Sequence, residues 1–167
     1  MFVLGIDPGL TRCGFGLVEE VSTREVRARQ AGVIETPSTV PVEERLTILA
    51  RDLEILYDEV KPDVVVVEKV FFQKNARTAM PVTQASGVAI ALAGLRGVSV
   101  RQFTSQEMKL TVCGYGAASK EQIQLMVTRL LGLSEVPRPP DAADALGLAL
   151  TYLRVAPRER WRAGVRA

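Results

Sequence analysis

The sequence predicts an α/β fold, a mixed sheet with helices on both faces. Three observations carry this. Strand-like segments come first as a hairpin-linked group and then alternate with amphipathic segments, the order expected when helices cover a sheet. The run "DVVVV" at 63–67 holds four consecutive valines, the mark of a strand covered on both faces. The chain has 167 residues, 47% hydrophobic and 24% charged, which suits one soluble domain with a substantial core.

Each element follows in order. "MFVLGID" is a short apolar strand that ends in Asp7. Pro8 and Gly9 suit the centre of a tight turn, and "FGLVEE" returns as the hairpin partner. "EVRARQAGVIE" alternates well enough to be a third strand. After "TPSTVP", Val42, Leu46, Leu49, Leu53 and Leu56 recur every three or four residues and predict a helix, with Pro41 in its first turn. "KPDVVVVEKV" is the buried strand, ending in Glu68.

"FFQKNART" reads as a loop. Residues from about 78 to 96 then read as a helix rich in Ala, Ser and Gly. Such small side chains let another helix approach closely, either within the fold or across a dimer. "GVSVRQF" is a further strand. "TSQE" and "SKEQ" match capping boxes that start two helices at Thr104 and Ser119, so Glu107 is read as a cap. The last helix begins in "VPRPPDAADALGLAL". Beyond it, "RERWRAGVRA" is basic, giving a domain at 1–156 and a flexible tail at 157–167.

Composition narrows the chemistry. The chain has no histidine, which removes His-based triads and the usual zinc sites. Catalysis has to run on carboxylates, hydroxyls, lysines or metal ions, and hard oxygen ligands favour Mg²⁺ or Mn²⁺. Cys13 and Cys113 stand in unrelated contexts and read as reduced core thiols, in keeping with a cytoplasmic protein. No secretory signal and no membrane span is expected. Residues 1–68 carry seven Lys/Arg against thirteen Asp/Glu, and residues 69–167 carry fourteen against six. The basic second part suits a phosphate backbone, as it would also suit solvated helices.

Four acids stand out against this background. Asp7 ends an otherwise apolar strand, and Glu68 ends the buried one, where a carboxylate is costly unless paired or metal-bound. Asp141 and Asp144 are three residues apart, on one side of an Ala/Leu-rich helix. Singly, each has a plainer reading: Asp7 as a turn residue, Glu68 as a solvated strand end, Asp141 as a cap and Asp144 as a partner of the helix dipole. If the first and fourth strands are parallel neighbours, all four can converge. Four close carboxylates repel unless cations neutralise them. Two divalent ions about 4 Å apart would do so, the clamp used to cleave phosphodiesters.

The segments "LGIDPGLTRCGFGLV", "VVVVEKVFFQKNARTAM", "TQASGVAI", "MKLTVCGYGAASKEQIQLMV" and "DAADALGLAL" resemble, in order, those of the RuvC family of Holliday-junction resolvases. The resemblance runs from about residue 1 to 153. It implies a ribonuclease H-like fold with a five-stranded mixed sheet flanked by helices. It also implies a homodimer that binds four-way junction DNA and nicks two strands of like polarity symmetrically, in recombination and repair, with a branch-migration complex as partner. The family's four acidic catalytic, metal-binding positions match Asp7, Glu68, Asp141 and Asp144. Its DNA-contacting positions match Lys109, Lys120 and Phe71, with Phe72 and Lys74 in the same loop. Lys69 stands where the family often has Gln. The basic tail matches no motif of the family.

An exposed aromatic pair can stack on an unpaired base, whereas the plainer role for Phe71 and Phe72 is to cover the sheet edge. Lys109 and Lys120 would neutralise phosphates, or simply be solvated helix ends. Three other functions fit parts of the chain. "DPGLT" also fits the phosphate loop of actin-like ATPases, which need two such domains. A module that only binds branched DNA would bind without metal and never nick. A nuclease of the same fold that acts on RNA–DNA hybrids is the third.

Overall fold

The computed structural model describes residues 1–70 and 76–164, with side chains for 1–70 and 79–156. Five strands form one sheet: β1 (Phe2–Asp7), β2 (Arg12–Ser22), β3 (Glu25–Glu35), β4 (Val64–Glu68) and β5 (Ser99–Phe103). Their spatial order is β3-β2-β1-β4-β5. β1 pairs antiparallel with β2 and parallel with β4, and β4 pairs parallel with β5. The mixed sheet expected from the sequence is therefore present, with β1 and β4 as parallel neighbours.

Five helices cover it: α1 (Val42–Val60), α2 (Ala76–Leu95), α3 (Ser105–Cys113), α4 (Lys120–Leu131) and α5 (Pro140–Gly164). The period-two alternation of the strands sorts the core into two layers. Leu4, Ile6, Val65 and Val67 pack with Leu49, Leu53 and Tyr57 of α1 and Ala85 and Ala89 of α2. Val3, Val64 and Val66 pack on the other face with Met108, Ile123, Val127, Leu146 and Leu150 from α3, α4 and α5. The four valines of β4 thus feed both layers, which is why that strand is apolar throughout.

Both capping boxes form. Thr104 Oγ1 accepts from the Glu107 N–H at 3.1 Å while Glu107 Oε2 accepts from the Thr104 N–H at 2.7 Å. Ser119 and Gln122 exchange the same pair of bonds at 3.3 and 2.8 Å. Glu107 is a cap, as read from the sequence.

Four boundaries differ from expectation. β2 starts at Arg12, so the strand takes in "RCG" and the connection from β1 is only residues 8–11. Thr36 Oγ1 donates to the Leu10 carbonyl, and Arg45 donates to Thr11 Oγ1 at 2.8 Å and Thr36 Oγ1 at 3.0 Å. That brace holds the connection tight. Pro41 is the residue before α1, not one within its first turn; its ψ of 156° is extended, as a residue leading into a helix requires. α2 begins at Ala76 and carries Pro81 inside it. Pro81 is its sixth residue, beyond the first turn whose N–H groups have no intrahelical partner, so the helix forgoes one backbone hydrogen bond there. Helix α5 continues past Pro157 to Gly164.

Candidate active site

The α5 face of the sheet carries the acids. Asp7 follows Val3 and Gly5 in the alternation, and Glu68 follows Val64 and Val66, so both carboxylates point towards α5. Ile6 is level with Val67 in the parallel pair, which sets Asp7 beside Glu68 at the strand ends. Asp141 and Asp144 lie in the first two turns of α5.

Glycine makes the approach possible. A Cβ on Gly5 would overlap the carbonyl oxygen of Ala145, and one on Gly14 would overlap that of Asp141. Gly14 is also the residue opposite Asp7 across the β1–β2 pair. The helix can therefore rest its backbone on the sheet next to Asp7, and any side chain at these positions would lift it away.

The four acids share one electrostatic field. Burial pushes the Asp7 carboxyl up to about 8, with a hydrogen bond to Glu68 and the charges of Glu68 and Asp141 adding to the effect and Lys120 opposing it. The raised value favours a proton held between Asp7 and Glu68. Burial likewise raises Asp144 to about 6, reinforced by Asp7 and Asp141 and opposed by Lys120 and Lys109. Perturbed carboxyls gathered at strand ends are the signature of a functional site.

Asp141 is 17% exposed at its side chain, and its Oδ2 lies 3.3 Å from Nε of Arg12. The contact is an ion pair without hydrogen-bond alignment, since Oδ2 is buried and accepts no hydrogen bond. A buried carboxylate oxygen with no hydrogen-bond donor, in the field of Asp7 and Asp144, fits a hard divalent cation better than any neutral ligand. Among the described residues, no group of three or more Asp, Glu or Cys side chains is already arranged to hold a metal ion. The acids meet as a field, with the Arg12 guanidinium at Asp141.

Lys120 is the first residue of α4, fixed there by the Ser119 cap. A cation in a first helical turn opposes the helix dipole, and here it acts on both Asp7 and Asp144. Lys109 in α3 acts on Asp144. Of the three lysines named from the sequence, Lys109 and Lys120 therefore border the acids. Phe71, Phe72 and Lys74 lie outside the described residues. Arg12 was not singled out from the sequence, because an arginine after a turn looks the same whether solvated or paired. Gly14 was missed as well, although the spacing of Gly14 and Gly16 in "CGFG" puts two glycines on one strand face, Gly16 against Leu146 of α5.

Burial disfavours the thiolate form of both cysteines. Burial raises the Cys13 thiol to about 12, and it packs in the α1–α2 layer. Cys113 is partly buried and also raised by burial. Among the described residues no helix is long and apolar enough to cross a membrane.

A five-stranded mixed sheet in this order, with acids at the ends of two parallel strands and a helix laid across them, defines a protein of ribonuclease H-like fold. Residues 3–152 match the family model described as crossover junction endodeoxyribonuclease RuvC, and the chain belongs to that family. A protein of that description from Frankia alni is 52% identical over 153 residues, covering 92% of this chain and 78% of its own. One from Frankia casuarinae is 50% identical, covering 92% and 89%. Among solved structures, Thermus thermophilus RuvC in complex with Holliday junction substrate superposes with a TM-score of 0.86 at 35% identity, covering 93% of this chain and 94% of that one.

Proposed function

We propose that the chain is a Mg²⁺-dependent endonuclease that binds four-way junction DNA as a homodimer and resolves it by nicking two strands of like polarity symmetrically. The observation that carries the reading is the joining of Asp7, Glu68, Asp141 and Asp144 in one field, flanked by Lys109 and Lys120. Family membership and the similarity to a RuvC in complex with Holliday junction substrate support the choice of DNA.

Asp7, Glu68, Asp141 and Asp144 would hold two divalent ions, Mg²⁺ with Mn²⁺ as a substitute. Such ions supply an activated water and a stabilised leaving oxygen. The protein's own groups do the remainder. Asp7 would release its proton to solvent as a cation binds, and Glu68 would stand beside it as a second carboxylate. Asp141 offers an oxygen free of hydrogen bonds, and Lys109 and Lys120 would draw the phosphates towards the acids. Phe71 and Phe72 would stack on bases at the crossover, with Lys74 on a phosphate beside them. Residues 1–156 would form the nuclease domain, leaving 157–167 as a basic tail. The exposed small residues Gly87, Ala91 and Gly94 of α2 support that helix as the dimer contact. A cytoplasmic location and a branch-migration complex as partner accord with this role.

The test is incubation with a synthetic four-way junction, a duplex and an RNA–DNA hybrid, with and without Mg²⁺, followed by strand mapping. Paired, symmetric nicks in the junction alone are expected. Binding without nicks would leave a junction-binding module, and preferential cleavage of the hybrid would leave a different nuclease of the same fold.

A further inference from the structure

We infer that Arg12 is a built-in countercharge that competes with the divalent cation for Oδ2 of Asp141, and so sets how much metal the site requires. The inference rests on the metal-site reading above.

The contact is specific in kind. Nε of Arg12 lies 3.3 Å from Oδ2, while the arginine side chain is 53% exposed and that of Asp141 is 17% exposed. Oδ2 itself is buried and accepts no hydrogen bond. An arginine that belonged permanently to Asp141 would make the aligned, forked pair that guanidinium and carboxylate geometry favours. Here the charges meet without that alignment, so the pair balances charge and is weak enough to yield. A cation ligated by Oδ2 would lie close to the guanidinium, whose Nε is 3.3 Å from that oxygen. Two positive charges within about 4 Å of each other repel, so the guanidinium has to leave.

Its route out is open. Arg12 is the first residue of β2, and more than half of its side chain already faces solvent. The backbone beneath stays still, because the brace from Thr36 and Arg45 holds Leu10 and Thr11. Only the side chain moves. Asp141 keeps its position throughout, since its backbone rests on Gly14. Arg12 is therefore a positioning residue for charge, outside the group of acids that hold the ion.

The experiment is direct Mn²⁺ binding to the full chain without DNA, by calorimetry, for the wild type, Arg12→Gln, Arg12→Lys and Asp7→Asn. An ion pair of this exposure has a modest strength, so Arg12→Gln is expected to bind Mn²⁺ about two- to fivefold more tightly. Arg12→Lys keeps a positive charge and is expected to stay within about twofold of the wild type. The Mg²⁺ concentration that half-saturates cleavage should fall in parallel for Arg12→Gln. Unchanged or weaker Mn²⁺ binding by Arg12→Gln overturns the inference while leaving the metal site intact. Circular dichroism checks that the variant is folded, and equal tightening by Arg12→Lys overturns the charge argument as well. If the wild type and Asp7→Asn bind Mn²⁺ equally, the metal-site reading fails and this inference falls with it.

Discussion

Gly14 of β2 lies directly beneath the backbone of Asp141, with the space a Cβ would need already taken by the Asp141 carbonyl. The obstacle is backbone rather than a flexible side-chain end, so α5 would have to rise for any larger residue to fit. Asp141 and Asp144 would rise with it, away from Asp7 and Glu68. Gly14→Ala is therefore expected to cost about 1–3 kcal/mol of stability and to lower cleavage by more than unfolding accounts for. Thermal unfolding together with Mn²⁺ titration checks this, since a folded variant with wild-type Mn²⁺ affinity would show that the helix can shift without harm.

Removing the charge of one acid while keeping its shape isolates chemistry from folding. Asp7→Asn, Glu68→Gln and Asp144→Asn are each expected to reduce junction nicking by ~100-fold or more, the scale on which single electrostatic groups act in active sites. Junction binding should persist, because the acids oppose DNA and the lysines attract it. Gel-shift and single-turnover cleavage assays on the same preparation separate the two. Normal turnover in any variant would remove that carboxylate from the site.

The raised carboxyls also make stability depend on pH in a definite direction. Folded Asp7 keeps its proton to about pH 8, whereas its ordinary value is 3.8; Asp144 keeps its own to about 6. Between those limits the folded state binds more protons than the unfolded one, so stability is full below about pH 4 and falls as pH rises. With a chelator present, the slope from these groups should approach about 1.4 kcal/mol per pH unit for each titrating acid. Urea unfolding at pH 5 to 8 measures it. Asp7→Asn, which cannot titrate, should flatten the decline, and Mg²⁺ should restore stability at the alkaline end, because it binds only the folded chain.

Much of this was legible in the sequence because each signal was local. Four valines in β4 announce burial on both faces, and Thr104 and Ser119 carry their capping partners three residues on. Asp7, Glu68, Asp141 and Asp144 each stand in an apolar setting where a charge needs a reason. What was not legible depends on contacts distant in sequence. The Arg12–Asp141 pair joins residues 129 positions apart, and nothing near Arg12 marks it. The early start of β2 follows from the Thr36–Arg45 brace, which no pattern in residues 8–12 reveals. Pro41 shows the limit of proline as punctuation, since it can stand before a helix or in its first turn, where the N–H has no intrahelical partner in either case.

In the proposed function Lys120 serves both the acids and the DNA, so its removal should register in two independent readouts. Its charge holds down the carboxyls of both Asp7 and Asp144, while Lys109 acts on Asp144. Without Lys120 both acids titrate higher, so the acid limb of the pH–rate profile should move to higher pH in Lys120→Ala. The shift should be smaller in Lys109→Ala, which touches one acid instead of two. Each variant loses one phosphate-neutralising charge, so the slope of log affinity against log salt should become shallower by about 0.9. A Lys120→Ala protein with a shallower salt slope but an unmoved acid limb would mean that the lysine serves DNA alone. The reverse result would mean that it serves the acids alone.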